Sequence, residues 1–237
     1  MKPSRILALI SISAALTACD EGRIYDGFVA EGPEGMAAHV TATVKGADAW
    51  PDGYAIAVAG FADGNEYAVI SKNAEIDSEG RCDLILTGIP AEASTVELCA
   101  IDRLRRRVAS FASVSCAEGS DTIRISAAGL DISPATAIQT EIFNTTCAQC
   151  HGGANFAAAR LNLTEGHSFH DLVGIGSVKD PARLRVEPGN SAVSVLYRIL
   201  STNESSSWNY DHSVEIVAQD KLDLIRNWID NGAKYPQ

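Results

Sequence analysis

The sequence predicts an α+β chain of two domains, strands first and helices second. Three observations carry that expectation. Between His39 and Ser126, short runs rich in β-branched residues recur, with turn-forming residues between them. Near Leu130 this strand period fades, and apolar residues begin to fall at helical spacing. Roughly 218 residues follow an N-terminal leader, which is above the usual size of one small domain.

The leader comes first in the chain. Lys2 and Arg5 precede an apolar run of 13 residues from Ile6 to Ala18. That run is short for a membrane span and right for the h-region of a signal peptide over residues 1–18. It ends in Leu16-Thr17-Ala18-Cys19, which resembles the lipobox of bacterial lipoproteins. The resemblance implies that Cys19 becomes lipidated. Residues 19–36 then form an anchor and a polar, Gly-rich tether, and the rest folds outside the cytoplasm on the periplasmic face or the cell surface. Removing Lys2 and Arg5 with the leader takes the formal charge from −11 to −13. Such acidity argues against nucleic acid as a partner and permits docking to a basic protein surface.

Residues 37–130 read as strands. "HVTATV", "YAIAVAGFA", "EYAVIS", "CDLILTGI", "TVELCAI", "RVASFASV" and "DTIRISA" are separated by Asp52-Gly53, Asp63-Gly64-Asn65, Glu79-Gly80 and Glu118-Gly119. Seven strands in roughly 90 residues predict an antiparallel β-sandwich, immunoglobulin-like or transthyretin-like in general shape. Arg103, Arg105, Arg106 and Arg107 fall at a hairpin tip, read as solvated, with a docking patch as the alternative. Cys82, Cys99 and Cys116 lie here in an exported, oxidising setting, where one disulfide and one free thiol is the simplest arithmetic.

Residues 131–237 open on "DISPATAIQTEIFNTTCAQCH". Ser133 is placed to cap a helix with Pro134 in its first turn, and Ile138 and Ile142 share a face. Further helical stretches are expected near residues 191–201 and 219–231. The first helix runs into Cys147-Ala-Gln-Cys150-His151, the attachment pattern of a c-type haem. Two cysteines three apart present sulfurs to two vinyl groups, and the adjacent imidazole can turn to the iron. Six cysteines and five histidines in the chain give roughly 0.003 chance matches to this pattern. A thioredoxin-like redox pair needs a strand before the motif, whereas a helix precedes it here. A zinc site needs further ligands, for which only His170 or His212 offer themselves.

On these residues the segment from about 138 to 234 resembles the cytochrome c-like domains of bacterial periplasmic and surface proteins. "IFNTTCAQCHGG", "ARLNLTEG", "FHDLVG", "RLRVEPGNSAVSVLYRIL" and "IRNWIDNGA" occur in family order. The resemblance implies an all-α cytochrome c fold around one haem c, with Phe143 and Trp228 where the first and last helices meet. It implies thioethers from Cys147 and Cys150, His151 as proximal ligand, and the Pro188-Gly189 turn near the haem. Arg183 and Arg185 become candidates to pair with the propionates, with a solvated cation as the alternative for each.

The family supplies a distal methionine from the loop before the last helix, and this chain departs from it. Its only methionines are Met1 and Met36. His212, in "STNESSSWNYDHSVEIVAQDK", is the strong haem ligand of that loop, so bis-histidine ligation by His151 and His212 is expected. The alternatives are a surface His212 with five-coordinate or water-bound iron, or His167 or His170 as ligand. Trp208 and Tyr210 either cover the haem edge or anchor the loop. His39 is read as structural.

With both axial positions filled and no positioned acid or base, the leading reading is a lipid-anchored one-electron carrier for redox partner proteins, not an enzyme. Two other readings compete: a haem sensor or small haem enzyme with an open distal site, and a binding or assembly lipoprotein whose β domain dominates.

Overall fold

The structure, a computed structural model, describes residues 35–116, 122–153, 158–204 and 208–236. The leader, Cys19 and nearly all of the tether lie outside the described residues. Pro33–Gln237 forms one compact unit.

Seven strands occupy the first half: β1 (Met36–Lys45), β2 (Tyr54–Phe61), β3 (Ala68–Asn73), β4 (Arg81–Ile89), β5 (Thr95–Asp102), β6 (Arg107–Ser115) and β7 (Thr122–Asp131). They form a three-stranded sheet in the order β4-β1-β7 and a four-stranded sheet in the order β3-β2-β5-β6. Alternation sets the inner faces: Cys82, Leu84 and Leu86 of β4 and Ile123 and Ile125 of β7 point into one core. β2 and β5 alternate less clearly in sequence because both of their faces are buried. Ile56, Val58, Val96 and Leu98 join the inner core, while Ala57, Ala59, Phe61, Cys99 and Ile101 form a second cluster on the other face.

Among the described residues five short α-helices follow: α1 (Pro134–Ile138), α2 (Ala148–His151), α3 (Ser168–Leu172), α4 (Val195–Ser201) and α5 (Gln219–Asp230). Ser133 caps α1, its Oγ accepting from the Thr136 N–H at 3.2 Å, and Pro134 opens the helix. Phe143 and Trp228 are both buried in the core of this half. Phe169 lies between them, its ring 5.9 Å from Phe143 and 5.4 Å from Trp228.

The fold class expected from the sequence is corrected. The compact unit is a mixed α/β structure with two sheets and a few short helices, not a β-sandwich joined to an all-α cytochrome c domain. Only α5 reaches three turns. Between α3 and α4 the chain makes bridges, Val173 to Val186 and Gly176 to Leu184, where helical packing was expected. The physical reason is local: Gly174, Gly176, Pro181, Pro188 and Gly189 interrupt every apolar run there before a helix can propagate. The sheets also depart from the expectation of antiparallel pairing alone. β1 pairs antiparallel with β4 but parallel with β7, with Val40 opposite Ile125. The two strands lie at opposite ends of the sequence half, so the intervening five strands supply the crossover that a parallel pair requires.

A shared seam joins the sheets to the helices. Trp50, Val108 and Phe111 pack against both the core between the sheets and the helical core. Trp50 Nε1–H donates to the Ile132 carbonyl at 2.6 Å, and Asn227 Nδ2–H donates to the Tyr54 hydroxyl at 3.0 Å. Gly46 permits the closest approach. It has φ +80°, and a Cβ there would meet Ser133 Cβ at 2.7 Å.

The arginine run is not a free hairpin tip throughout. Arg106 pairs with Glu66 at 3.0 Å and with Asp220 of α5 at 3.2 Å, and Arg107 pairs with buried Glu97 at 2.7 Å. Arg103 and Arg105 are exposed. Cys82, Cys99 and Cys116 are all free thiols, so the disulfide suggested by cysteine counting is not formed.

Asp131 sits where β7 enters α1. Its Oδ1 accepts from the Ser133 N–H at 3.0 Å and the Thr136 hydroxyl at 2.8 Å, and Lys45 lies 3.5 Å away. Burial pushes its carboxyl up, but these hydrogen bonds and the Lys45 charge outweigh it and hold the group below its ordinary value. The unfolded chain therefore binds more protons between the depressed folded value and the ordinary one. Stability contributed by Asp131 is complete above the ordinary value and lost as pH falls through the folded one. Urea melts at roughly pH 5 and pH 3 are expected to show a smaller acid loss in Asp131→Asn than in the wild type. An unchanged acid loss would assign it to other carboxylates.

Candidate functional site

The Cys147–His151 motif is carried on one continuous helical run from Pro134. After α1, Gln139–Cys147 winds in wide π-type turns before α2 restores the ordinary pitch. Threonine hydroxyls mark the widened stretch. Thr140 Oγ1–H donates to the Thr136 carbonyl at 3.0 Å, and Thr145 Oγ1–H donates to the Glu141 carbonyl at 2.9 Å. The run ends at Gly152, where a Cβ would lie 2.4 Å from the Ala148 carbonyl oxygen, so the glycine after His151 has a steric reason.

His151 is held from two sides. Its backbone carbonyl accepts from Leu163 N–H, and its ring Nδ1 lies 3.0 Å from the Ala158 carbonyl oxygen. A carbonyl can only accept, so Nδ1 carries the proton and Nε2 keeps its lone pair.

His212 comes from the far side of the sequence, on the short turn His212–Val214. Asp211 caps that turn by accepting from the Ser213 N–H at 3.0 Å, and buried Ile216 anchors it to the helical core. The two imidazoles come together with ring centres 6.4 Å apart and planes 29° from parallel. Tyr210 lies edge-on to His212 at 5.0 Å and hydrogen-bonds Glu215, so it borders the site, while Trp208 donates to Glu204 and anchors the loop. His212 Nδ1 is buried without a hydrogen-bond partner. Such an atom costs about 1–3 kcal/mol unless something completes it. Burial, and then the neighbouring His151 ring, push the His212 imidazole below its ordinary value, which keeps it neutral and able to ligate.

These residues fit a haem. At ~2.0 Å per metal–imidazole bond, a 6.4 Å separation of ring centres leaves room for one metal ion between the two rings. Among the described residues no group of three or more His, Cys, Asp or Glu is arranged to hold a metal ion. Cys147 is half-buried against the helical core and Cys150 is exposed; neither is in a disulfide. Burial, then Glu215 and Cys150, push the Cys147 thiol up to about 11, so it stays protonated.

The other candidates fall elsewhere. His167 and His170 are exposed, and His170 packs edge-on to Tyr235 at 5.3 Å. His39 pairs with Asp83 at 2.7 Å on the sheet. The Pro188-Gly189 turn is tied to the end of α5, Gly189 N–H donating to the Ile229 carbonyl at 2.7 Å. Arg183 pairs with Asp180, and Arg185 is buried with its guanidinium on three backbone carbonyls. The Ala158 carbonyl and Arg185 are the site-building groups that spacing alone did not single out. A backbone carbonyl has no sequence signal, and Arg185 was read for its charge, not for its reach.

The chain matches no protein family, and no curated protein matches it.

Proposed function

We propose that the chain is an exported, lipid-anchored c-type haem protein that carries one electron at a time between redox partners. The observation supporting this most directly is the pair His151 and His212 beside Cys147 and Cys150. When bound, the haem supplies a centre that accepts and releases a single electron.

The chain's own residues do the rest. Cys147 and Cys150 tether the group through two thioethers, so that it stays with the protein. The Ala158 carbonyl keeps the proton of His151 on Nδ1 and directs Nε2 inward. His212, on a turn pinned by Asp211 and Ile216, would serve as the second imidazole ligand of the group. Two imidazole ligands favour a lower potential than an imidazole and a thioether. Covalent attachment depends on this local constellation and not on fold class, so the mixed α/β architecture leaves the proposal standing. The lipid at Cys19 and the placement at a membrane rest on the leader sequence; no described helix is long and apolar enough to cross a membrane. The acidic chain, at −11 overall, suits redox partners with a basic docking surface.

Covalent attachment is the deciding test. The mature chain, expressed in a host that matures c-type haem, is expected to retain haem through acid–acetone extraction. Its pyridine haemochrome spectrum should be that of a two-thioether adduct. Cys147→Ser combined with Cys150→Ser is expected to lose the retained haem completely. Wild-type protein that yields all its haem to the solvent, or acquires none, would overturn the proposal.

A further inference from the structure

The turn that accepts from His151 is strained, and one buried side chain holds it. Ala159 and Arg160 have φ +55° and +54°, two consecutive non-glycine residues in the left-handed region. Each costs on the order of 1 kcal/mol, and neither has the short polar side chain that eases such a conformation. Their carbonyls converge on Arg185. Its Nη2–H donates to the Ala159 carbonyl at 3.1 Å and the Arg160 carbonyl at 3.0 Å, and its Nη1–H donates to the Asp171 carbonyl at 2.7 Å. Only 8% of Arg185 is exposed. Its own backbone is fixed at both ends, N–H to the Ile175 carbonyl and carbonyl to the Leu196 N–H. The planar fork of a guanidinium holds several carbonyls in one fixed geometry, which the freely rotating ammonium of a lysine does not.

We propose that Arg185 is a positioning residue for His151: by gripping the carbonyls of Ala159 and Arg160 it keeps the adjacent Ala158 carbonyl on the Nδ1 proton of His151. The inference rests on the reading of His151 as an axial haem ligand. It departs from the expectation that Arg185 pairs with a propionate, since its donors are directed at the backbone. The consequence is electronic as well as steric. A hydrogen bond from Nδ1–H raises the basicity of the ring, which favours the ferric state and lowers the potential. Releasing the turn weakens that bond and raises the potential.

The test uses the haem-loaded mature chain and compares wild type with Arg185→Gln. Loss of such an outer partner costs about tenfold in ligand strength. Expressed as a tenfold change in the ferric-to-ferrous preference, this is a rise of about 59 mV in midpoint potential. In the reduced, diamagnetic protein the His151 Nδ1 proton, slow to exchange in the wild type, should exchange at least about tenfold faster in the variant. Lys179→Gln, at an exposed residue of the same segment, is expected to change neither reading. If Arg185→Gln fails to fold, Arg185→Lys keeps the charge and most of the stem while losing the fork, and carries the same expectation. An unchanged potential together with unchanged exchange would overturn the clamp. A wild-type protein that proves high-spin would overturn His212 ligation and not the clamp, because the potential difference between wild type and variant still reads it.

Discussion

His212→Ala is expected to convert the haem-loaded protein from a low-spin form indifferent to carbon monoxide into a high-spin form whose ferrous state binds carbon monoxide at once. The effect should be complete, because no neighbouring side chain can replace the lost ligand. His167 and His170 are exposed, the first preceding α3 and the second on it, where His170 is engaged with Tyr235. Met36 begins β1 in the other half of the chain. Tyr210 packs edge-on to His212, but its hydroxyl is committed to Glu215. The structural cost should be small by comparison. The His212–Val214 turn is capped by Asp211 and anchored by Ile216, and neither contact uses the imidazole. His212→Met is the complementary change and should raise the potential while keeping the spectrum low-spin. A His212→Ala protein that stays low-spin would remove His212 from the site.

Arg107→Ala is expected to produce the largest loss of stability among single substitutions away from the site. Glu97, on β5, has a side chain only 4% exposed, and Arg107 Nη1 lies 2.7 Å from its Oε1. Thr95 Oγ1–H donates to the same oxygen at 3.1 Å, while Oε2 has no partner. The guanidinium also lies over Phe61, 4.7 Å from the ring centre. Removing Arg107 leaves a buried carboxylate uncompensated, which costs about 3–5 kcal/mol in comparable pairs. The low end of that range applies here, because Arg107 itself is 34% exposed and water can enter where it stood. The double change Glu97→Leu with Arg107→Met should recover most of the loss, since the pair is worth little over an apolar replacement. Urea melts of wild type, Glu97→Leu, Arg107→Met and the double change measure the coupling directly. Equal stability of Arg107→Ala and wild type would mean that Glu97 is not buried as an ion.

Local chemistry was legible wherever it was written in consecutive residues. Ser133 and Pro134 mark the start of α1 because a hydroxyl cap and a fixed φ act within four residues. The strands of β4 and β7 show in the alternation of Cys82, Leu84 and Leu86 and of Ile123 and Ile125. β2 and β5 were harder, since a strand buried on both faces loses its period. Arg106 and Arg107 were misread as solvated for a related reason: their partners, Asp220 and Glu97, belong to other elements. Three unpaired cysteines defied the counting because pairing needs adjacency, which a count does not contain.

The sequence by itself determined the composition of the candidate site: two cysteines three apart, a histidine beside them, and one further histidine in the loop before α5. It also determined the turns and breakers that keep the second half from building long helices, although the family resemblance pointed the other way. Only the tertiary structure decided what those residues can do together. It brought His212 to 6.4 Å from His151, set the Ala158 carbonyl on Nδ1, and turned Arg185 from a solvent-facing charge into a clamp on a strained turn. It also joined sheets and helices into one unit through Trp50, Tyr54 and Asn227. The division follows from range. Caps, turns and attachment motifs act across a few bonds and are spelled out in order along the chain. A close pair of rings, a buried ion pair or a guanidinium shared by three carbonyls depends on distances between segments, which only packing assigns.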